Sequence, residues 1–210
     1  MAKGLLIAAM NFSDVAEDEF HDWYDTEHVP ERLGVPGFLN AERWLGIGNP
    51  KHSVALYDLD DVGVLHSPPY LAVGGANGSP WTMRVTGRTR MLIRLEGEQI
   101  LPGDRLAPVG EAAALLLIAM NVAPEADAEF NDWYNKEHLP ALGSVPGVLC
   151  ARRYRGTGAV QRYAAIYHLA NPDVTQSAAW RAAADTPWTL RLRPLFRDHL
   201  RIDARHYRRG

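Results

Sequence analysis

The sequence predicts an α+β protein built from two tandem ferredoxin-like units, each running β-α-β-β-α-β. Two observations carry that prediction. The apolar run Leu5-Leu6-Ile7-Ala8-Ala9-Met10 returns as Leu115-Leu116-Leu117-Ile118-Ala119-Met120, at an offset of 110 residues. Residues 5–44 and 115–154 then align without a gap, and about half of the positions are identical, against roughly one in twenty expected from average composition. The period is too long for a solenoid, so each copy reads as a small domain: 1–97, a linker over 98–111, and 112–210.

The elements follow in order. The run ending at Asn11 is a buried strand, and Ser13-Asp14 can cap the helix that carries Phe20, Trp23, Tyr24 and Glu27 at helical spacing. Pro30 and Pro36-Gly37 close the helical region. Phe38 to Leu45 is a strand that turns through Gly46-Ile47-Gly48-Asn49-Pro50 into a second, Ser53 to Leu59. In the second copy, residues 172–185 are Ala-rich and helical, and Thr189 to Phe196 alternates as a half-buried strand does. In the first copy, Ser67-Pro68-Pro69 and Gly74-Gly75 should shorten the matching helix. The linker has prolines at 102 and 108 and glycines at 103 and 110.

Composition narrows the function. The chain has 210 residues, 47% hydrophobic and 22% charged, with a net charge of −3 and no block of like charges, so neither a nucleic acid nor an anionic membrane is an expected partner. The single cysteine, Cys150, cannot form an internal disulfide, which points to a cytoplasmic protein. Neither apolar run approaches the roughly 20 residues needed to span a bilayer. There is no Walker loop, dinucleotide fingerprint, Cys-x-x-Cys or His-Glu-x-x-His, and the His21/His28 spacing is lost in the second copy at Asn131, so no metal site is expected.

The shared motif reads Phe20, Trp23, Tyr24, His28, Pro30 in the first copy and Phe130, Trp133, Tyr134, His138, Pro140 in the second, each followed by Pro-Gly and a strand. This pattern resembles the dimeric α+β barrel superfamily, and within it the EthD-like branch. The resemblance covers each half nearly end to end. It implies that the two units form an intramolecular pseudo-dimeric α+β barrel, with a pocket between each sheet and its own helices. It also implies a mixed set of activities: lyases, isomerases, cofactor-free monooxygenases, and heme-binding or heme-degrading proteins.

The candidate catalytic residues are His28 and His138, which titrate near neutrality, with Tyr24 and Tyr134 orienting substrate. As helix-end histidines they can equally serve structure. Asn11, Trp81, Asn121 and Trp188 are candidate substrate-binding residues, although tryptophans at such spacing usually pack a core. Glu27 with Arg43, and Glu137 with Arg153, are expected to form ion pairs tying helix to strand. The favoured function is a cofactor-independent lyase or isomerase acting by histidine acid/base chemistry on a hydrophobic cyclic or aromatic molecule, with one working site in the first half. The alternatives are a heme or small-ligand-binding module, monooxygenase-like in character, with a histidine as heme ligand, or a structural domain. Renewed pairing of the fused chain into a homo-oligomer is left open.

Overall fold

A computed structural model describes residues 2–108 and 110–209. Met1 and Gly210, at the outer ends of the expected units, and Val109, inside the expected linker, lie outside the described residues. The strands are β1 (Gly4–Asn11), β2 (Glu42–Gly46), β3 (His52–Leu59), β4 (Arg90–Leu101), β5 (Ala114–Val122), β6 (Val148–Thr157), β7 (Tyr163–Leu169) and β8 (Phe196–His206). They close into one antiparallel barrel in the order β1-β3-β2-β8-β5-β7-β6-β4.

The closure corrects the expected fold class of two tandem ferredoxin-like units. There are not two four-stranded sheets laid face to face. Trp44 to Gly46 of β2 pair with Ala204 to His206 of β8, and Glu96 to Leu101 of β4 pair with Arg153 to Thr157 of β6. The outer strands of both halves thus spend their free N–H and C=O groups on each other, and among the described strands the sheet has no open edge.

The helices are short and lie outside the barrel: α1 (Glu17–Trp23), α2 (Val29–Leu33), α3 (Pro68–Val73), α4 (Pro80–Thr86), α5 (Asp127–Trp133), α6 (Leu139–Gly143), α7 (Ala178–Ala184) and α8 (Pro187–Leu192). Two π-helical turns, Tyr24–His28 and Tyr134–His138, join α1 to α2 and α5 to α6. The stretch Thr189 to Phe196, expected as a strand, is helical through Leu192 because Thr186 caps it and Pro187 opens it. Residues 98–101 of the expected linker extend β4.

Strand period sorts the core. Leu5, Ile7 and Ala9 of β1, with Leu115, Leu117 and Ala119 of β5, fill the barrel interior. Leu6 and Met10 point outward under the first-half helices, and Leu116 and Met120 under those of the second half. Burial on both faces explains why these strands read as unbroken apolar runs. The recurrent Val-Pro-Gly ends the helical region at Gly37 (φ 95°) and Gly147 (φ 91°), where a Cβ would stand 2.5 Å from Val64 and 2.6 Å from Val174.

Candidate functional site

Each π turn carries its tyrosine and histidine toward the barrel, and the tryptophan before it fixes the histidine. Trp133 stacks on His138 at 4.2 Å between ring centroids, and Tyr134 meets the same imidazole edge-on at 5.1 Å. The first half repeats this with Trp23 and His28 at 4.4 Å and Tyr24 and His28 at 5.3 Å. The indoles are anchored in turn: Trp133 Nε1 donates to Thr189 Oγ1 at 3.1 Å, and Trp23 Nε1 to Thr82 Oγ1 at 2.9 Å. A π turn inserts one extra residue into the helix, a feature frequent at functional sites.

The expected pairs Glu27–Arg43 and Glu137–Arg153 do not form. Ser79 and Thr82 donate to Glu27, the latter at 3.2 Å, and Thr186 donates to Glu137 at 2.5 Å. Each glutamate therefore ties its π turn to the start of α4 or α8. Arg43 instead meets Asp25 at 2.5 Å and His21 at 2.9 Å, and lies 4.2 Å over the Tyr24 ring. Arg153 donates to Asn135 and Asn131 at 2.7 and 2.9 Å and lies 4.4 Å over Tyr134. Burial without a carboxylate lowers Arg153 to about 10.

A cavity of about 500 Å³ lies in the second half, between the barrel and its helices. Leu116, Ile118 and Met120 of β5 and Tyr167 of β7 form its floor, with Trp133, Tyr134, His138 and Leu142 on one wall. Trp180 and Ala184 of α7 and Phe196 of β8 add apolar surface. Arg193, His199 and Arg201 also line it; no carboxylate does, but Arg193 pairs with Asp185 and Arg201 with Asp203 at 2.7 and 2.8 Å beside it. The Nδ1 of His138 is buried without a partner, which leaves Nε2 as the nitrogen offered to the cavity. Burial, reinforced by the charges of Arg193 and Arg153 and opposed by Asp185, lowers His138 to about 3. The imidazole is therefore neutral near pH 7: it can accept or donate a hydrogen bond or ligate a metal, and it holds no acidic proton to give.

The corresponding place in the first half is differently furnished. Arg32 stands where the second half has Leu142, and its guanidinium donates to Val73 O at 3.0 Å and lies 5.5 Å over Tyr70. Burial and the charge of Arg32 together hold His28 at about 3. Arg94 donates to the Tyr70 hydroxyl at 3.1 Å. The cavity described above thus lies in the half opposite to the one expected to work.

The four expected substrate contacts sit elsewhere. Asn11 accepts from Ser13 N and Oγ at 2.9 and 2.6 Å, and Asn121 donates to Val160 O and Asp198 and accepts from Arg162 N. Both amides organise loops at strand ends. Trp188 donates to Glu129 at 3.0 Å, while Trp81 packs, half-buried, against the first-half core with its Nε1 unpartnered. Tyr167 is the cavity residue that the repeat could have revealed, since Tyr57 matches it. Arg193 and His199 belong to no matched motif, while Arg201 matches Arg94 at the shifted offset of 107.

Solved structures match this closed barrel nearly end to end. A candidate monooxygenase from Fusobacterium nucleatum superposes with a TM-score of 0.68 at 10% identity, covering 99% of this chain and 93% of that one. An anthrone oxidase-like protein gives a TM-score of 0.68 at 13% identity over 98% and 92%. A heme-binding protein from Thermus thermophilus gives 0.60 at 9% identity over 99% and 92%. At these identities the likeness is one of fold. No family model and no curated protein matches the sequence. Among the described residues no helix is long and apolar enough to cross a membrane, and no cluster of potential metal ligands occurs.

Proposed function

We propose that the chain binds a flat, largely apolar small molecule carrying an acidic group, in the cavity of its second half. One observation carries the reading: the cavity is walled by aromatic and aliphatic side chains, holds two guanidiniums and two imidazoles, and has no carboxylate among its lining residues. Its volume of about 500 Å³ suits a small organic ligand. Trp133, Tyr134 and Trp180 would bound a ring system, and the ligand acid would meet Arg193 or Arg201 by sharing the guanidinium with its present partner, Asp185 or Asp203. His138 would hydrogen-bond a ring substituent through Nε2. The folds of monooxygenase-like and heme-binding proteins are consistent with such a ligand. An acid/base lyase is less well supported, because an imidazole held at about 3 is a weak base and stays unprotonated at neutral pH.

Fluorescence titration with pyrene-1-carboxylate tests the proposal. Binding should be saturable, weakened at least tenfold in Arg193→Met/Arg201→Met, and lost in Leu142→Trp, which fills the cavity. Equal binding by the Leu142→Trp variant, folded by circular dichroism, would sink it.

A second reading names heme as the ligand, and His138 favours it. A neutral imidazole facing the cavity suits an iron ligand, and Arg193 and Arg201 suit the carboxylates of the group. His138 Nδ1 lacks the hydrogen-bond acceptor that usually orients a ligating histidine, so Trp133 stacking would do that work. Bound heme would supply redox-active iron. Added heme should then give a shifted Soret band that His138→Ala abolishes; an unchanged free-heme spectrum would exclude this reading.

An origin by tandem duplication and a place in the EthD-like branch remain parts of this proposal, as does the division into 1–97, 98–111 and 112–210, with 98–101 belonging to β4 of the first half. The paired Trp–Thr and Trp–His contacts of the two halves support them.

A further inference from the structure

The barrel interior is apolar through its middle and charged at one end. Where β1 and β5 begin, four side chains from four strands meet in two pairs. Arg152 Nη1 donates to Asp58 Oδ1 at 2.5 Å, and His168 Nε2 lies 2.8 Å from Glu42 Oε2. All four are buried: Arg152 and His168 fully, Asp58 to 1% and Glu42 to 5% exposure.

The pairs are crossed with respect to the repeat. At the offset of 110, Glu42 matches Arg152 and Asp58 matches His168. Each pair therefore joins a β2-type position in one half to a β3-type position in the other. Both acids belong to the first half and both nitrogen donors to the second. Within the first half, Glu42 stands opposite Leu56, one diagonal step from Asp58; within the second, Arg152 stands opposite Ile166, one step from His168. Each half alone carries two like groups side by side on the face it must bury.

We infer that this quartet selects the partner of each half: a first half closes a barrel only with a second half. If two first halves met, Glu42 would face Asp58 twice, burying four carboxylates with no cation between them; the Asn40 amide, which donates to Asp58 at 3.0 Å, would not offset their charge. If two second halves met, Arg152 would face His168 twice, burying two guanidiniums with no carboxylate and only a neutral imidazole nitrogen to accept from each. Burying unpaired ionic groups is strongly unfavourable, and a buried ion pair is better attested as a device for specificity than for stability. The apolar interior makes no such distinction, since Leu5 matches Leu115, Ala9 matches Ala119 and Leu56 matches Ile166. The segment joining the halves adds to the selection, because Ala107 N donates to Asp58 Oδ2 at 3.0 Å and Arg105 O accepts from Arg152 at 3.4 Å.

Charge exchange in the full chain tests this. Asp58→Arg and Arg152→Asp each break the quartet within one molecule, setting two guanidiniums or two carboxylates together. The double variant Asp58→Arg/Arg152→Asp restores an opposite pair. Two different single variants can also restore it between molecules. The first half of the Asp58→Arg chain would close on the second half of the Arg152→Asp chain, while the two remaining halves form the native combination. Equimolar co-refolding of the single variants should therefore give a 1:1 heterodimer by native mass spectrometry, with far more folded protein than either variant refolded alone. The double variant should refold in the same oligomeric state as wild type. Failure of either single variant to fold alone is compatible with the inference, since the mixture supplies the readout. A co-refolded mixture without a heterodimer, or a double variant no better folded than the singles, would overturn it.

Discussion

His28 and His138 are held at about 3 by burial, whereas an exposed histidine titrates near 6.5. The sign of the pH effect follows. Above pH 6.5 neither the folded nor the unfolded chain protonates these rings, so they cost nothing. Between pH 6.5 and about 3 the unfolded chain takes up protons that the folded chain refuses, and stability falls as the pH drops. Urea midpoints measured from pH 7.5 to 4.5 should decline, and the decline should be shallower in His28→Gln/His138→Gln. Arg32 offers a second test at this scale. Its replacement by leucine, the residue at the matching position 142, removes a guanidinium packed beside Tyr70 and His28. Arg32→Leu should raise the pKa of His28, read by NMR titration, and raise the binding stoichiometry for pyrene-1-carboxylate from one toward two.

The π turns are the elements on which the site depends. The sequence showed an aromatic helix with His28 or His138 at its end; the structure has the helix, with the histidine beside its tyrosine, but it runs on through the π turn into α2 or α6, since Pro30 and Pro140 sit in the first turn of those segments, where proline is tolerated. The extra residue of each turn was not legible, because a π turn leaves no composition signal distinct from an α-helix. That hidden residue turns Glu27 and Glu137 toward Ser79 and Thr186 and away from Arg43 and Arg153, which is why the expected ion pairs are absent. The apolar strands and the Val-Pro-Gly turns could be read because burial on both faces and a positive φ each demand particular residues. The cavity could not, since Arg193 and His199 reach it through tertiary placement alone. Deleting Lys136 should convert the Tyr134–His138 turn to α-helix, bringing His138 from four to three residues beyond Tyr134 and lifting it off the Trp133 ring. Ligand binding should vanish while the far-ultraviolet circular dichroism stays near wild type.

At the scale of the whole molecule, the halves share one hydrogen-bonded sheet through the β2–β8 and β4–β6 seams. Neither seam can open without exposing the barrel interior, so unfolding should be a single cooperative event. Tryptophan fluorescence and far-ultraviolet circular dichroism should give coincident urea transitions; two separated transitions would show that the halves unfold independently. The asymmetry between the halves has a consequence for how such a barrel can keep a ligand site at all. A cavity forfeits packing and weakens the fold around it; the second-half cavity of about 500 Å³ carries that loss, while in the first half Arg32 and the Arg94–Tyr70 contact stand in the corresponding place. With the proposed ligand bound there, the molecule would divide its labour: one half would act as the stator, and the other would be free to vary its binding surface without having to hold the barrel shut by itself.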